Sequence, residues 1–439
     1  MSNYSEIINT VLFVLSIIFN IIGTTIQQIS MPLWLNDWSV PMGILISCSL
    51  FYVTIFGILM LLFSKRYYPH KSSWKILCLA GLFDALNSIF IVYASQSNRV
   101  PAILQPILYN LNIFSVILSN KLILGDKKKY FNWYVLISIF LILLSVTITS
   151  IPFYTNKNVE NPNEFVGWSV IYVIGACFGI VFNIYQYLFY KNEKEELIKD
   201  EQYHIISIQN REINNIINME KISLKHFFSN SFILLFYQCL FQFIFILSLI
   251  WIDLLPGFGR STVNDLADNL LSMFKCNFTN QCGNSYIYYL VFNIGYMLSY
   301  VGSCYLNLDN NPFNILFMAL STPISIIFWI ITPYSDILSG NINLYYVIPG
   351  LIFTIFALLI WKFWEYREIL MEKRQTSSYI TSTMLGFESE YTDDSSIYTI
   401  GNYYLNSLKQ FVSVPRLTNA NIEISNINKD KDNKNIEIV

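Results

Sequence analysis

One ionisable side chain lies in the middle of an apolar segment of this sequence. Asp84 falls within Gly81-Leu82-Phe83-Asp84-Ala85-Leu86-Asn87, halfway along a stretch long enough to form a membrane-spanning helix. A carboxyl group at that depth costs about 3 kcal/mol, so it normally faces a cavity or a partner. Burial favours the protonated carboxyl, so Asp84 could take up a proton from an acidic lumen. The alternative is a hydrogen-bonded Asp84 that holds two helices together.

Amide side chains in other apolar segments could line the same cavity as Asp84. Asn87 lies one helical turn from Asp84 on the same face. The remaining polar residues of this kind are Asn20, Thr24, Gln27, Gln105, Asn110, Asn112, Asn183, Gln186, Gln238, Gln242 and Asn293. For any one of them, interhelical packing is the alternative role. Together, so many amides without charges predict a wide polar cavity for a neutral or zwitterionic solute.

Enzyme chemistry is not indicated by any motif. The sequence has no P-loop, no Gly-rich dinucleotide turn and no helix with paired histidines. Its three histidines (His70, His204 and His226) fall in predicted loops or at their membrane edge. We therefore expect no metal site, no cofactor and no histidine proton relay within the membrane. The nearly neutral net charge also gives no sign of a nucleic-acid partner.

The composition indicates a chain surrounded by lipid. Hydrophobic residues make up 54% of the sequence and charged residues only 13%, about half the share usual in soluble domains. A hydrocarbon core needs about 20 apolar residues per helix. Ten stretches meet this requirement: Ile8–Gln28, Met42–Phe63, Trp74–Ala94, Ala102–Leu122, Trp133–Ile151, Trp168–Tyr190, Phe232–Ile252, Tyr286–Leu306, Phe313–Ile331 and Tyr345–Trp364. The sequence thus predicts an all-α membrane protein with ten transmembrane helices.

The distribution of Lys and Arg predicts the orientation of these helices. Basic residues are concentrated in the loops after the second, fourth and sixth spans, and they are scarce in the opposite loops. The positive-inside rule places the basic loops in the cytosol. Both termini are then cytosolic, which an even number of spans allows.

The long loop at residues 253–285 is then lumenal. It contains Cys276 and Cys282, which we expect to form a disulfide, and Asn277 in an N-glycosylation sequon. The alternatives are reduced cysteines and a chance sequon. Apolar residues at helical spacing in 261–274 predict a helix that lies on the membrane surface or packs against the spans.

Ten spans divide into two halves of five, at residues 1–152 and 166–365. An odd number of spans per half predicts an inverted repeat around a central cavity. Two short polar hairpins support this, since the third and fourth spans join through a turn ending in Pro101, and the eighth and ninth through one ending in Pro312. Short hairpins with proline also occur in unrelated bundles.

Two charged or polar regions lie outside the predicted spans. Residues 191–225 are predicted to be cytosolic and partly helical. They include Glu193-Lys194-Glu195-Glu196-Leu197-Ile198, which fits either an acidic di-leucine sorting signal or a solvated amphipathic helix. Residues 366–439 lack apolar periodicity and are predicted to form a disordered cytosolic tail.

Several of these segments together resemble a known family. They are Gly81–Ala85, Leu104-Gln105 at the fourth span, Phe292–Ile294 in the eighth, Pro323 in the ninth, and Cys282-Gly283 in the long loop. In order and spacing they resemble the chloroquine-resistance-transporter-like proteins of the drug/metabolite transporter superfamily. The likeness runs from the third span to the tenth. The loop carries two cysteines where the malarial branch has four, so drug transport is not carried over.

The resemblance implies a ten-helix transporter built as two inverted halves around a central cavity. It further implies residence in the membrane of a digestive vacuole or endolysosome, where such proteins export amino acids, peptides or similar solutes with protons and so contribute to osmotic balance. Asp84 would then be an acid in the cavity. The alternative function is a membrane receptor or scaffold that does not transport, and a dry, closed bundle would favour it.

Overall fold

The computed structural model of the chain describes residues 2–38, 40–64, 68–126, 128, 130–155, 162–207, 216–259, 262–309, 311–332 and 344–388. These residues are predominantly helical, and no β-strand occurs among them, so the all-α prediction is confirmed. The α-helices of this part of the chain are α1 (Ser2–Asp37), α2 (Pro41–Phe63), α3 (Trp74–Ala94), α4 (Gln105–Tyr109), α5 (Ile113–Leu122), α6 (Trp133–Thr155), α7 (Pro162–Ser207), α8 (Ile216–Ser248), α9 (Val263–Phe278), α10 (Ser285–Asp309), α11 (Asn311–Ile331) and α12 (Leu344–Glu388).

Seven apolar segments of the described chain are long enough to cross a membrane. They are Thr10–Asp37, Pro41–Phe63, Lys71–Ala94, Trp133–Phe153, Glu164–Glu196, Asn230–Leu254 and Leu344–Glu368. Each overlaps one of the ten stretches expected from the sequence. The chain is therefore a multi-pass helical membrane protein, because seven apolar helices of this length match the thickness of a hydrocarbon core.

The other three predicted spans coincide with helices that are interrupted, less apolar or shorter in their apolar part. Ala102–Leu122 is not one helix, because α4 and α5 are separated by a 3₁₀ turn at Asn110–Asn112. α10 has the length of a span, but its many Tyr, Ser and Asn residues make it less apolar. In α11, the described apolar stretch Ala319–Ile331 is shorter than a full span.

Apolar side chains point outward along the long helices. In α1, Val11, Leu15, Ile18 and Ile22 recur at helical spacing and are each 41–50% exposed. On α6, the side chains of Leu136, Phe140 and Leu143 are likewise exposed at helical spacing. Such a stripe would be unstable in water, whereas in a bilayer it faces the acyl chains.

Small residues bring helix pairs into close contact. At Gly23 of α1, a Cβ atom would lie 2.4 Å from the backbone nitrogen of Ser299 on α10. At Gly175 of α7, a Cβ would lie 3.0 Å from Phe90 of α3. The hydroxyl of Ser145 on α6 donates to the Gly350 carbonyl of α12 at 2.6 Å. Without water to drive association, this close backbone approach holds the helices together.

One end of the bundle, named here the disulfide end, carries the Cys276–Cys282 disulfide, which is formed as predicted. Helix α9 packs against the spans at this end, where Trp38 Nε1 donates to Ser272 Oγ at 3.3 Å. Thr262 and Asp265 form a capping box that begins α9. Both predictions for 261–274 assumed a helix, and the structure shows a helix in contact with the spans, while Val263 and Leu271 stay exposed.

A buried arginine connects three segments of the chain at the disulfide end. Arg99, in the turn after α3, donates to the carbonyls of Gly257 at 2.9 Å and Phe258 at 2.6 Å, in the loop after α8. Its guanidinium also lies over the ring of Trp168 in α7, 3.7 Å from the ring centroid. The end of α3, the start of α7 and the end of α8 therefore meet at the disulfide end.

The opposite end is marked by Glu193 of α7 and is named here the Glu193 end. The Glu193 carboxylate is buried and accepts hydrogen bonds from Ser73 Oγ at 2.6 Å and from the His70 backbone N–H at 3.1 Å. Glu193 is the first acidic residue of the di-leucine pattern. Its side chain is thus held inside the fold, within a helix.

The chain divides into two compact units, residues 1–366 and 367–439. The first contains the helices described above up to the membrane-spanning part of α12. Of the second, the structure describes the helical residues 367–388. Residues 389–439, the remainder of the predicted disordered tail, lie outside the described residues.

Candidate functional site

Asp84 lies at the middle of α3 and is 1% exposed. Its Oδ2 accepts a 2.6 Å hydrogen bond from the Tyr300 hydroxyl of α10 and a 3.2 Å hydrogen bond from Gln238 Nε2 of α8. Gly81 makes this approach possible, since a Cβ there would lie 2.9 Å from the backbone nitrogen of Gln242. The glycine one turn before the acid therefore lets α8 reach it.

A chain of amides extends from Asp84 towards the Glu193 end. Gln186 of α7 donates through Nε2 to Oε1 of Gln238 at 2.8 Å, and Asn307 of α10 donates through Nδ2 to Oε1 of Gln186 at 2.9 Å. All three side chains are fully buried. Each amide donates towards Asp84, so the chain of dipoles favours negative charge on the carboxylate.

Aromatic side chains enclose the other side of Asp84. Tyr300 shares a hydrogen bond with Tyr296, one turn earlier on α10. Tyr52 of α2 stacks on Tyr296, with 4.1 Å between ring centroids. Phe56 and Phe182 flank the Tyr300 ring. The acid is thus sealed from lipid by rings and reached through hydroxyl groups.

The hydrogen bonds to Asp84 in the described residues come from neutral donors. The titratable groups with an electrostatic interaction to it are Tyr296 and Tyr300 of α10 and Cys239 of α8. A buried carboxylate without a cationic partner is costly. The arrangement can relieve that cost by accepting a proton or a cationic group of a solute.

The predicted site residues fall into two groups. Gln186 and Gln238 join Asp84 in one network. The others bond elsewhere: Asn20 to Ser303, Gln27 to the Gly295 carbonyl, Gln105 to the Ser95 and Val100 carbonyls, Asn110 to Pro106 and Thr322, Asn183 to the Gly179 carbonyl, and Asn293 to the Tyr289 carbonyl. The bonds of Asn20, Gln27 and Asn110 join two helices, as interhelical packing predicts, whereas those of Gln105, Asn183 and Asn293 are local.

Asn87 also lies apart from the Asp84 network. A Cβ at Gly179 of α7 would lie 2.9 Å from Asn87 Oδ1, so this amide faces α7 closely. Its Oδ1 has no hydrogen-bond partner among the described residues. Gln242 bonds Ser88, the next residue on α3, at 3.0 Å.

Sequence reasoning missed three members of the network: Tyr296, Tyr300 and Asn307. A signal for them is present in α10, where Asn293, Tyr296, Tyr300, Ser303 and Asn307 recur at intervals of three or four residues. This spacing makes a polar stripe on one face of an apolar helix.

A separate cavity of about 40 Å³ lies beside the 3₁₀ turn between α4 and α5. Its walls are aromatic, amide and aliphatic side chains, with two charged residues, from the 3₁₀ turn, α5, the loop before α6, and helices α6, α11 and α12. They are Asn110, Asn112, Ile113, Val116, Asn120, Lys128, Tyr130, Ile142, Ala319, Leu358, Trp361, Trp364 and Glu365. That volume holds about three water molecules. It is too small for an amino acid in this conformation, and it does not include Asp84.

The predicted glycan acceptor lies beside the disulfide. Asn277 is in the last turn of α9, directly after Cys276, and is 2% exposed. Neither of its amide atoms has a hydrogen-bond partner among the described residues. The folded loop therefore covers this side chain.

Comparison with known proteins leaves the family resemblance untested. No protein-family model matches the chain. The chain also has no significant match among curated proteins. The likeness to chloroquine-resistance-transporter-like proteins therefore stays a prediction based on short segments.

Proposed function

We propose that this chain is a secondary active transporter that exports small nutrients, such as amino acids or peptides, from an acidic vacuole or endolysosome with protons. The observation that carries the proposal is the buried Asp84 carboxylate, held by neutral donors from α8 and α10. An ionisable side chain within the membrane destabilises the protein, so its presence usually indicates a functional role. Protonation from the acidic side and release to the other side would couple the proton gradient to solute movement.

The packing of the helices supports the proposal of two inverted five-helix halves. Let α1, α2, α3, α4–α5 and α6 correspond to α7, α8, α10, α11 and α12. The contact of α1 with α10 then corresponds to that of α7 with α3, and the contact of α1 with α11 to that of α7 with α4–α5. α2 with α8, and α6 with α12, each pair with their own counterpart. A two-fold pattern of this kind is expected of inverted repeats.

The proposed orientation places the disulfide end in the lumen and the Glu193 end in the cytosol. The disulfide supports this, because such bonds persist in oxidising compartments. The basic loops after the second, fourth and sixth spans support it independently. Both termini are then cytosolic, and membership in the chloroquine-resistance-transporter-like family would fit the same arrangement.

The test is uptake by proteoliposomes containing the full chain under an imposed pH gradient, with radiolabelled amino acids as probes. We expect Asp84→Asn to abolish gradient-driven uptake while the protein still folds and elutes as a single species. Glu193→Gln serves as the matched control, since it neutralises another buried acid of the same bundle. Undiminished coupling in Asp84→Asn would refute the proton role.

A receptor or scaffold without a transport cycle is the second candidate. The cavity beside the 3₁₀ turn fits this candidate, because about 40 Å³ there admits no amino acid in this conformation. A transporter must therefore open by moving its two halves, whereas a scaffold need not. Solute-dependent protection of cysteines introduced beside Tyr296 would support the transporter, and the absence of any solute effect would support the scaffold.

A further inference from the structure

Asp84 stands between two hydrogen-bonded arms of different chemistry. Gln238, Gln186 and Asn307 form the amide arm, and Tyr300 and Tyr296 form the hydroxyl arm. Helix α10 carries both extremes, Tyr296 towards the disulfide end and Asn307 towards the Glu193 end. At about 1.5 Å per residue the arms together extend roughly 16 Å, which is about half the thickness of a hydrocarbon core.

The amide arm can orient charge, but it cannot carry a proton. Asn307, Gln186 and Gln238 each donate an N–H along this arm towards Asp84, and Gln238 Nε2 also donates to the Tyr300 hydroxyl at 3.2 Å. The groups that transfer protons in proteins are acids, imidazoles, amines, thiols, hydroxyls and water chains, and neutral amides are not among them. The amide arm is therefore closed to protons in this conformation.

The hydroxyl arm has the chemistry that the amide arm lacks. A proton that reaches the Tyr296 oxygen from water forms a new O–H bond there as the old Tyr296 O–H proton moves to Tyr300. The Tyr300 proton moves in turn onto Oδ2 of Asp84. One proton leaves the water, one O–H bond forms on the carboxyl group, and both tyrosines end neutral, each with one hydroxyl proton.

Unpartnered polar atoms cluster on the hydroxyl side. The Tyr52 hydroxyl, Gln242 Oε1 and Asn293 Oδ1 are buried and have no partner with hydrogen-bond geometry among the described residues, although the Cys48 thiol lies within reach of Tyr52 and Asn293. Gln242 lies beside Tyr296, and Tyr52 and Asn293 both lie beside Cys48. Buried polar atoms are usually satisfied by protein or by water. Three such atoms around Tyr296 point to water entering there, whereas the amide arm is linked throughout.

We infer that, in this conformation, Asp84 exchanges its proton with the disulfide end through Tyr300 and Tyr296, while the amide arm carries no proton towards the Glu193 end. This rests on the proposed function and adds the route and the side of proton entry. The titratable groups that face Asp84 are Tyr296, Tyr300 and Cys239, all neutral carriers in this scheme. Release to the Glu193 end then requires a conformation in which the amide arm is broken.

The experiment uses full-length protein in proteoliposomes oriented with the disulfide end outward, with radiolabelled amino acids and an internal pH dye. We expect Tyr300→Phe and Tyr296→Phe to reduce uptake driven by outside acid by at least about tenfold. Exchange of solute at equal pH should persist in both variants. Gln186→Leu should shift the midpoint of the pH profile and keep the dependence on the outside pH.

Tyr190→Phe is the matched control, because the buried Tyr190 hydroxyl bonds Ser231 at 2.9 Å near the Glu193 end, away from Asp84. Its uptake should follow outside pH as in the wild type. Normal coupling in both Tyr300→Phe and Tyr296→Phe would overturn this inference while leaving the proposed function intact. A wild type with neither uptake nor exchange would overturn both.

Discussion

The Tyr300 hydroxyl donates a 2.6 Å hydrogen bond to Oδ2 of Asp84, and the two residues are 216 positions apart in the sequence. The bond joins α3 to α10, two helices assigned to opposite halves of the proposed repeat. A change at either residue therefore affects both the acid and the contact between the halves. Stability and proton coupling must be measured separately to tell these effects apart.

The first prediction concerns the contact between α1 and α10. Gly23→Ala should lower the free energy of unfolding by about 1–3 kcal/mol, because its Cβ would meet the backbone of Ser299 and Gly295 at 2.4–2.5 Å. Gly167→Ala is the control, since no atom lies within 4 Å of a Cβ at that glycine. Thermal unfolding in detergent measures both. Equal midpoints for the two variants would contradict the packing described.

The second prediction concerns the amide arm. Gln238→Leu should destabilise the protein by about 1–3 kcal/mol, because the Gln186 amide loses its acceptor and Asp84 loses a donor. Denaturant titration of the purified protein measures the change. Gln281→Ala, at an exposed position in the loop, should leave stability unchanged. An unchanged free energy of unfolding in Gln238→Leu would mean that the amide arm contributes nothing to stability.

The third prediction concerns the thiols. A maleimide mass tag added to denatured, unreduced protein should label five of the seven cysteines, since Cys276 and Cys282 are joined. Reduction should raise the number to seven. Replacing both bridged cysteines with serine should cost about 2 kcal/mol, as expected for a short loop. Seven tags without reductant would show that the bridge is not formed.

The fourth prediction concerns pH and the start of α9. The hydrogen bond from the Thr262 side chain lowers the pKa of Asp265. A lowered folded-state pKa stabilises the cap above the ordinary carboxyl pKa of about 4, and this stability is lost as the pH falls through the folded-state value. Protection of the amides in the first turn of α9, measured relative to an unfolded peptide at the same pH, should therefore persist in mildly acidic solution and fall only at strongly acidic pH.

Thr262→Ala provides the comparison for this pH dependence. It removes the side-chain donor and acceptor of the capping box, so the amides in that turn should show low protection at every pH. Unchanged protection in Thr262→Ala would show that packing, rather than the cap, fixes the start of the helix.

Much of the membrane architecture could be predicted from local sequence. Seven spans follow from apolar runs whose length matches the bilayer, and the burial of Asp84 follows from its place within such a run. The disulfide follows from two nearby cysteines in one loop. Each of these features depends on a few neighbouring residues, which a single sequence displays directly.

The partners of Asp84 could not be predicted in the same way. Tyr300 and Gln238 reach the acid only because α3, α8 and α10 pack together, and no local pattern specifies that packing. The interruption of the predicted fourth span at Asn110–Asn112 was missed for a related reason. Its residues are apolar enough for a span, and the tightened turn arises where Asn110 bonds Thr322 of α11.

The pairing of α1 with α10 has a consequence for synthesis in the cell. α1 ends at Asp37 and its partner ends at Asp309, so at the usual speed of translation the first helix waits roughly 15 to 55 s for the second. During that interval Ser303 and Ser299 have not yet been made, so Asn20 and Thr24 must face lipid or a protein of the insertion machinery. The nascent chain therefore depends on the insertion machinery to shelter its first helix until the last third of the protein is made.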